Sequence, residues 1–278
     1  QGHQPMVEDK TGLSITYNGE IYNFIELRKI LIQDGYSFKS NTDTEVLIFM
    51  YLKYGTEMLK YLNGIFAFAI WDPKNKELFI ARDRYGVKPI YYINDEVENN
   101  FSFSSELKSL LCFTKEKELN YLSIHRYLTY LYCPGNDTAL KSINRMNPGE
   151  ALLVAEGRIR KKWCWYDIRN TPLPSLNIPV KNLIDKTQNE LRNAVHRQMI
   201  SDVPLGAFLS GGLDSSSIVA FSKELNSNIN CFTIESQGGV GYQDGMEDDL
   251  NYAKKAAKFF NLPLEIITVT PKQMAMDF

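Results

Sequence analysis

The chain has 278 residues, 44% of them hydrophobic, which is enough length and apolar material for two domains of ordinary size, each with its own core. Its 31 basic side chains stand against 33 acidic ones, a formal net charge of -2 with no basic block, which argues against RNA or DNA as a partner. No apolar run reaches the roughly 18 to 20 residues of a membrane-spanning helix, and the four cysteines contain no C-x-x-C pair, so zinc and disulfide frameworks drop out and a reducing, cytoplasmic setting is expected.

In chain order, LSITYN reads as a strand ending in the turn pair Asn18-Gly19. NFIELRKILIQDG carries Phe24, Leu27, Ile30 and Leu31 at helical spacing before Gly35. A second helix begins at Thr42-Asp43-Thr44-Glu45, which has capping-box spacing with Thr42 at the N-cap and Glu45 three residues on. GIFAFAIWD, ELFIARD, PIYYI and FSFSS then follow one another closely across polar turns, the rhythm of stacked antiparallel sheets. Helices are expected over 106–111 and 121–131, and a strand at ALLVAEG. RNTPLPSLNIP, with three prolines and little apolar periodicity, reads as a linker over 169–180, between a first domain over 1–168 and a second over 181–278. Beyond it come a helix over 182–200, the strand PLGAFLS, a helix from Asp214, the strand INCFTI, a helix over 250–260 and the strand LEIITV. Strands alternating with helices imply parallel, right-handed crossovers in a doubly wound α/β sheet.

The segment FLSGGLDSSSIVA carries the clearest chemistry. Two glycines let the chain turn sharply and let another group approach. Serine and aspartate are N-cap types, so a helix is expected near Asp214 with its amides pointing back into the loop. Strand, glycine turn and helix N-terminus together form an anion cradle. The lysine of a P-loop and the glycine spacing of a dinucleotide fold are both absent. Ser210-Gly211-Gly212-Leu213-Asp214-Ser215 instead resembles the pyrophosphatase loop, S-G-G-x-D-S, of ATP-consuming, AMP-forming enzymes. Backbone amides and the hydroxyls of Ser210 and Ser215 would donate to phosphate oxygens. The Asp214 carboxylate would repel them unless Mg²⁺ bridges the two. The plainer alternative is that Asp214 only caps a helix.

GHQPM, YNGEIYNF, TDTEVL, LNGIFAFAIWD, ARDRYGVKPIYY and FSSELKSL resemble the glutamine amidohydrolase domain of glutamine-hydrolysing asparagine synthetases, a likeness that continues through the ATP loop. The resemblance implies an N-terminal-nucleophile αββα sandwich followed by an adenine nucleotide α-hydrolase-like fold. Amide hydrolysis passes through a tetrahedral oxyanion, for which the Asn18 side chain and the Gly19 N–H are suitable donors. Matching the family residue by residue assigns Glu20 and Asp43 to the polar end of glutamine. The alternatives are a common turn pair at Asn18-Gly19 and a helix cap at Asp43. The family's nucleophile is an N-terminal cysteine whose own α-amino group serves as base. Gln1 stands at position one here, so that cysteine, and the family's carboxylate-gripping arginine, are expected upstream.

The resemblance implies an ATP- and Mg²⁺-dependent amidotransferase: glutamine is hydrolysed, ammonia passes to the second site, and an acceptor carboxylate is activated as its adenylate with release of AMP and pyrophosphate. Phe208, Leu209 and Ile234 are expected to flank the nucleotide, partly through backbone contacts. After CFTI, the acidic SQGGVGYQDGMEDDLNYA replaces a short S-P-D-L-type turn, which leaves the acceptor open between aspartate and another carboxylate of carbohydrate or peptide pathways. Two other readings stay open: a nucleotide-binding homologue without turnover, and an RNA-modifying enzyme sharing the loop.

Overall fold

The computed structural model describes residues 2–114, 117–172, 178–236, 249–270, 272 and 276. The acidic stretch after CFTI falls largely at 237–248, outside the described residues. The chain divides into two compact units, Gln1–Leu173 and Pro174–Phe278.

The first unit contains two antiparallel sheets. The larger runs in spatial order β1 (Met6–Val7), β2 (Ser14–Ile21), β3 (Gly64–Asp72), β4 (Glu77–Arg82), β8 (Glu150–Ala155) and β9 (Arg158–Cys164). The smaller places β5 (Tyr91–Asp95) between β6 (Asn100–Ser104) and β7 (Asn144–Arg145).

The period of two along β3 sorts its side chains to opposite faces. Phe66, Phe68 and Ile70 join Ile15, Ile21 and Phe79 in a core with α1 (Phe24–Gln33) and α2 (Asp43–Tyr54). Ala67 and Ala69 face the other way, with Ile80, Leu152 and Val154, against Tyr92, Phe101 and Phe103 of the smaller sheet. On the far side of that sheet, Ile93 and Tyr91 pack with Leu107 and Leu110 of α3 (Leu107–Leu110). Helices, sheet, sheet and helix make the αββα sandwich. Each fully buried Phe or Leu of these layers contributes about 1.5–3 kcal/mol. A further helix, α4 (Tyr121–Tyr130), starts at Asn120, whose side chain accepts from Ser123 N–H at 3.2 Å.

Local chemistry departs from expectation at three places. Asn18-Gly19 is not a turn but part of β2, opposite Ala67 and Phe66, because pairing with β3 outweighs turn preference. Thr42 caps α2 by accepting from Glu45 N–H at 3.4 Å, but the buried Glu45 carboxylate does not return to Thr42; it accepts from the amides of Lys39 and Ser40 at 2.8 and 2.7 Å. Ile30 of α1 is exposed, while Leu27 and Leu31 are buried.

The second unit holds α5 (Val180–Gln198) and a parallel sheet of β10 (Gly206–Phe208), β11 (Asn230–Ser236) and β12 (Leu264–Val269) in that order. Its core of Leu209, Val219, Ile229, Cys231, Ala257 and Leu262 lies between the sheet and helices α6 (Leu213–Leu225) and α7 (Asp249–Phe260). Arg192 of α5 pairs with Glu224 of α6 at 3.0 Å. Three adjacent parallel strands joined by helices are one run of a doubly wound sheet.

Candidate active sites

The first site is built on one edge of β2. β3 pairs with the whole strand, but β1 covers the opposite edge only at Ser14 and Ile15. Beyond them, side chains take the place of a neighbouring strand. Tyr17 N–H donates to Gln4 Oε1 at 2.6 Å, and Ile21 N–H donates to Asp43 Oδ2 at 3.0 Å. Alternate amides of a strand face alternate edges, so the Gly19 amide, midway between these two, faces the same edge. A Cβ on Gly19 would lie 2.2 Å from the Ile65 carbonyl oxygen, so nothing larger than glycine fits there.

Asn18 and Glu20 leave the strand on the side of the smaller sheet and are exposed. Asn18 lines a cavity of about 290 Å³ with Gln4, Tyr17, Ala67, Phe103 and Ser104. No cysteine lines it, and Cys231 sits in the core of the second unit, where burial pushes its thiol pKa up.

Asp43 opens α2 beside this edge. A carboxylate is favoured there by the positive end of the helix dipole. Its Oδ2 accepts from the Tyr17 hydroxyl at 2.6 Å as well as from the Ile21 amide. Burial, and then the neighbouring Asp43 carboxylate, push the Tyr17 hydroxyl well above its ordinary value of 10.0, so it stays protonated and donates. Along this stretch of strand the Gly19 amide and the Asp43 carboxylate share one edge, while the Asn18 and Glu20 side chains project on the side of the smaller sheet, away from Asp43. Tyr17 and Gln4 complete the group, and sequence reasoning missed both. The only signal was their position, immediately before Asn18 and inside GHQPM.

A buried aspartate shapes the loop after β4. Asp83, 1% exposed, accepts from the amides of Tyr85 and Val87 at 3.0 Å each, of Lys88 at 3.0 Å and of Phe66 at 3.2 Å. The Arg82 guanidinium holds the other side of the loop through the carbonyls of Gly86, Lys88 and Met146.

In the second unit the loop from Ser210 to Gly212 follows the carboxyl end of β10, where ligands of open parallel sheets bind. Gly211 has φ +84, and a Cβ there would lie 2.3 Å from the Tyr252 carbonyl carbon, so glycine lets the loop pass against α7. Ser210 and Ser215 Oγ are 3.0 Å apart, and Gly212 N–H donates to Ser210 Oγ at 3.3 Å. The helix begins at Leu213, not at Asp214. Its N-cap is Gly212 and no side chain caps it, which leaves first-turn amides open to an anion. Asp214 is exposed in that turn. Phe208 and Ile234 are 74% and 56% exposed, whereas the Leu209 side chain is buried in the core, so Leu209 offers a ligand only its backbone. Glycine cradle, uncapped amides and paired hydroxyls fit a polyphosphate. Among the described residues no group of three or more His, Cys, Asp or Glu could hold a metal by itself. Mg²⁺ on phosphates uses one or two carboxylates, and Asp214, exposed in the first turn of α6, is a carboxylate that fits that donor set.

Comparison with known proteins places the chain. The family described as "Glutamine amidotransferase domain" matches residues 1–165, and that described as "Asparagine synthase" matches residues 186–278. Asparagine synthetase [glutamine-hydrolyzing] 1 of Bacillus subtilis (strain 168) is 34% identical over 98% of this chain and 41% of its own length. Asparagine synthetase [glutamine-hydrolyzing] 3 of the same organism is 37% identical over 87% of this chain and 40% of its own. A protein named amidase chry2, from Gibberella zeae, is 26% identical over 100% of this chain and 42% of its own. The chain therefore spans about two fifths of the length of these relatives. With a glutamine amidotransferase domain followed by an asparagine synthase domain, the chain belongs to the family of glutamine-hydrolysing asparagine synthetases.

Proposed function

We propose that the whole protein is a glutamine-hydrolysing, ATP-dependent carbon–nitrogen ligase that amidates a carboxylate, with aspartate as the first candidate acceptor. The observation that supports this most is the pairing of two sites in one chain: an oxyanion-type edge at Asn18 and Gly19, and an anion cradle at Ser210 to Ser215. In the first site the Asn18 amide and the Gly19 N–H stabilise the oxyanion of amide hydrolysis, while Glu20 and Asp43 hold the ammonium end of glutamine. In the second, the amides of the Gly211–Asp214 turn and the hydroxyls of Ser210 and Ser215 bind the β and γ phosphates of ATP. Phe208, the Leu209 backbone and Ile234 flank the nucleotide. Mg²⁺, held by Asp214 and the phosphates, would offset the charge that an aspartate beside a polyphosphate otherwise opposes.

Residues 1–168 make the amidotransferase domain, 169–180 the linker and 181–278 the part of the synthetase domain contained here. Four cysteines that form no disulfide support a reducing, cytoplasmic setting. Among the described residues no helix is long and apolar enough to cross a membrane. A different acceptor is the second reading, favoured by the acidic stretch at 237–248 and by the relative named as an amidase. Product analysis of the full-length protein tests the choice. With glutamine, ATP and Mg²⁺, aspartate should support AMP and pyrophosphate release. Turnover with another carboxylate and none with aspartate would move the assignment to the second reading.

A further inference from the structure

The glutamine site contains a side chain with no assigned role. The Tyr17 ring packs on the core beneath β2, and its hydroxyl reaches Asp43 Oδ2 at 2.6 Å, the same oxygen that accepts the Ile21 amide at 3.0 Å. Both donors fall on one oxygen. Among the described residues Asp43 Oδ1 accepts no hydrogen bond, although Asp43 is half-buried. A carboxylate fixed by two donors on one oxygen cannot rotate freely, and its second oxygen keeps a single direction with full acceptor capacity. We propose that Tyr17 is a positioning residue for the glutamine site, its hydroxyl locking Asp43 so that Oδ1 faces the α-ammonium of the substrate. The proposal rests on the reading of Asp43 as the ammonium partner and adds the residue that sets its geometry.

The ring and the hydroxyl are separable, because phenylalanine fills the same packing space. Tyr17→Phe in the full-length protein leaves Oδ2 with one donor and frees the carboxylate to turn. Glutamine hydrolysis should then show KM raised about tenfold or more, the scale of a lost hydrogen bond to a charged group, with kcat nearly unchanged. Glutaramate, which has the amide and carboxylate of glutamine but no α-ammonium, should be hydrolysed equally by variant and parent. A merely structural role would slow both substrates. Asp43→Asn should raise the glutamine KM in the same way, and the double variant should be little worse than Asp43→Asn alone, since Tyr17 acts through Asp43. An active parent whose glutamine KM is unmoved by Tyr17→Phe, or a variant impaired equally on both substrates, would overturn the proposal. A full-length parent that hydrolyses no glutamine would instead overturn the reading of the whole site, and the proposal with it.

Discussion

At the scale of single residues, the two sites make separable demands. If Asn18 donates to the oxyanion, Asn18→Ala should slow glutaminase turnover by about 10² to 10³, the cost of one such donor, and ammonia-driven amidation should survive. Asp214→Ala should give the mirror image, with pyrophosphate release lost and glutamine hydrolysis retained, because its carboxylate stands exposed in the first turn of α6 and far in sequence from β2. Glutamate and pyrophosphate assays on both variants check the pair. Loss of both activities in either one would mean that the residue supports the fold and not a site. Tyr17 shows what a single sequence hides: its hydrogen bond to Asp43 spans 26 positions, and nothing local marks it.

At the scale of elements, legibility followed hydrophobic period. β3 and β4 could be read because buried runs such as IFAFAI leave no other reading, and α2 because its cap chemistry precedes an apolar stretch. β9, RIRKKWC, could not be read as a strand: it is a largely exposed, charged sheet edge whose signal is pairing with β8, not burial. The same pairing logic turned Asn18-Gly19 from a turn into strand, and only there does the Gly19 amide gain its place on the open edge. For the loop from Ser210 to Ser215 the motif was legible but the cap was not, since Gly212 takes the N-cap position by backbone geometry alone. In ARDRYGVKPIYY the family likeness is legible, but nothing local marks Asp83 as the acceptor that shapes the loop after β4. Asp83 satisfies four amides from a buried position, so Asp83→Ala should lower unfolding stability by about 3 kcal/mol or more, as buried donors lose their acceptor. Urea denaturation measures it. A loss under about 0.5 kcal/mol, the range of an ordinary surface change, would show that the loop does not depend on this carboxylate.

At the scale of the whole molecule, the proposed function divides between two units, each with one candidate site. The first unit carries the candidate amide-hydrolysing edge at Asn18 and Gly19, and the second carries the candidate phosphate cradle at Ser210 to Ser215. The proposed ligase requires that nitrogen released at the first site be consumed at the second. Isotope transfer tests this directly. Full-length protein is given glutamine labelled with ¹⁵N in its side-chain amide, together with ATP, Mg²⁺ and aspartate, and the products are followed by mass spectrometry alongside pyrophosphate release. The account predicts ¹⁵N in a newly formed amide, with one pyrophosphate released for each amide made. Glutamine hydrolysed with all its label lost as free ammonia, while ATP stays intact under every acceptor offered, would contradict it.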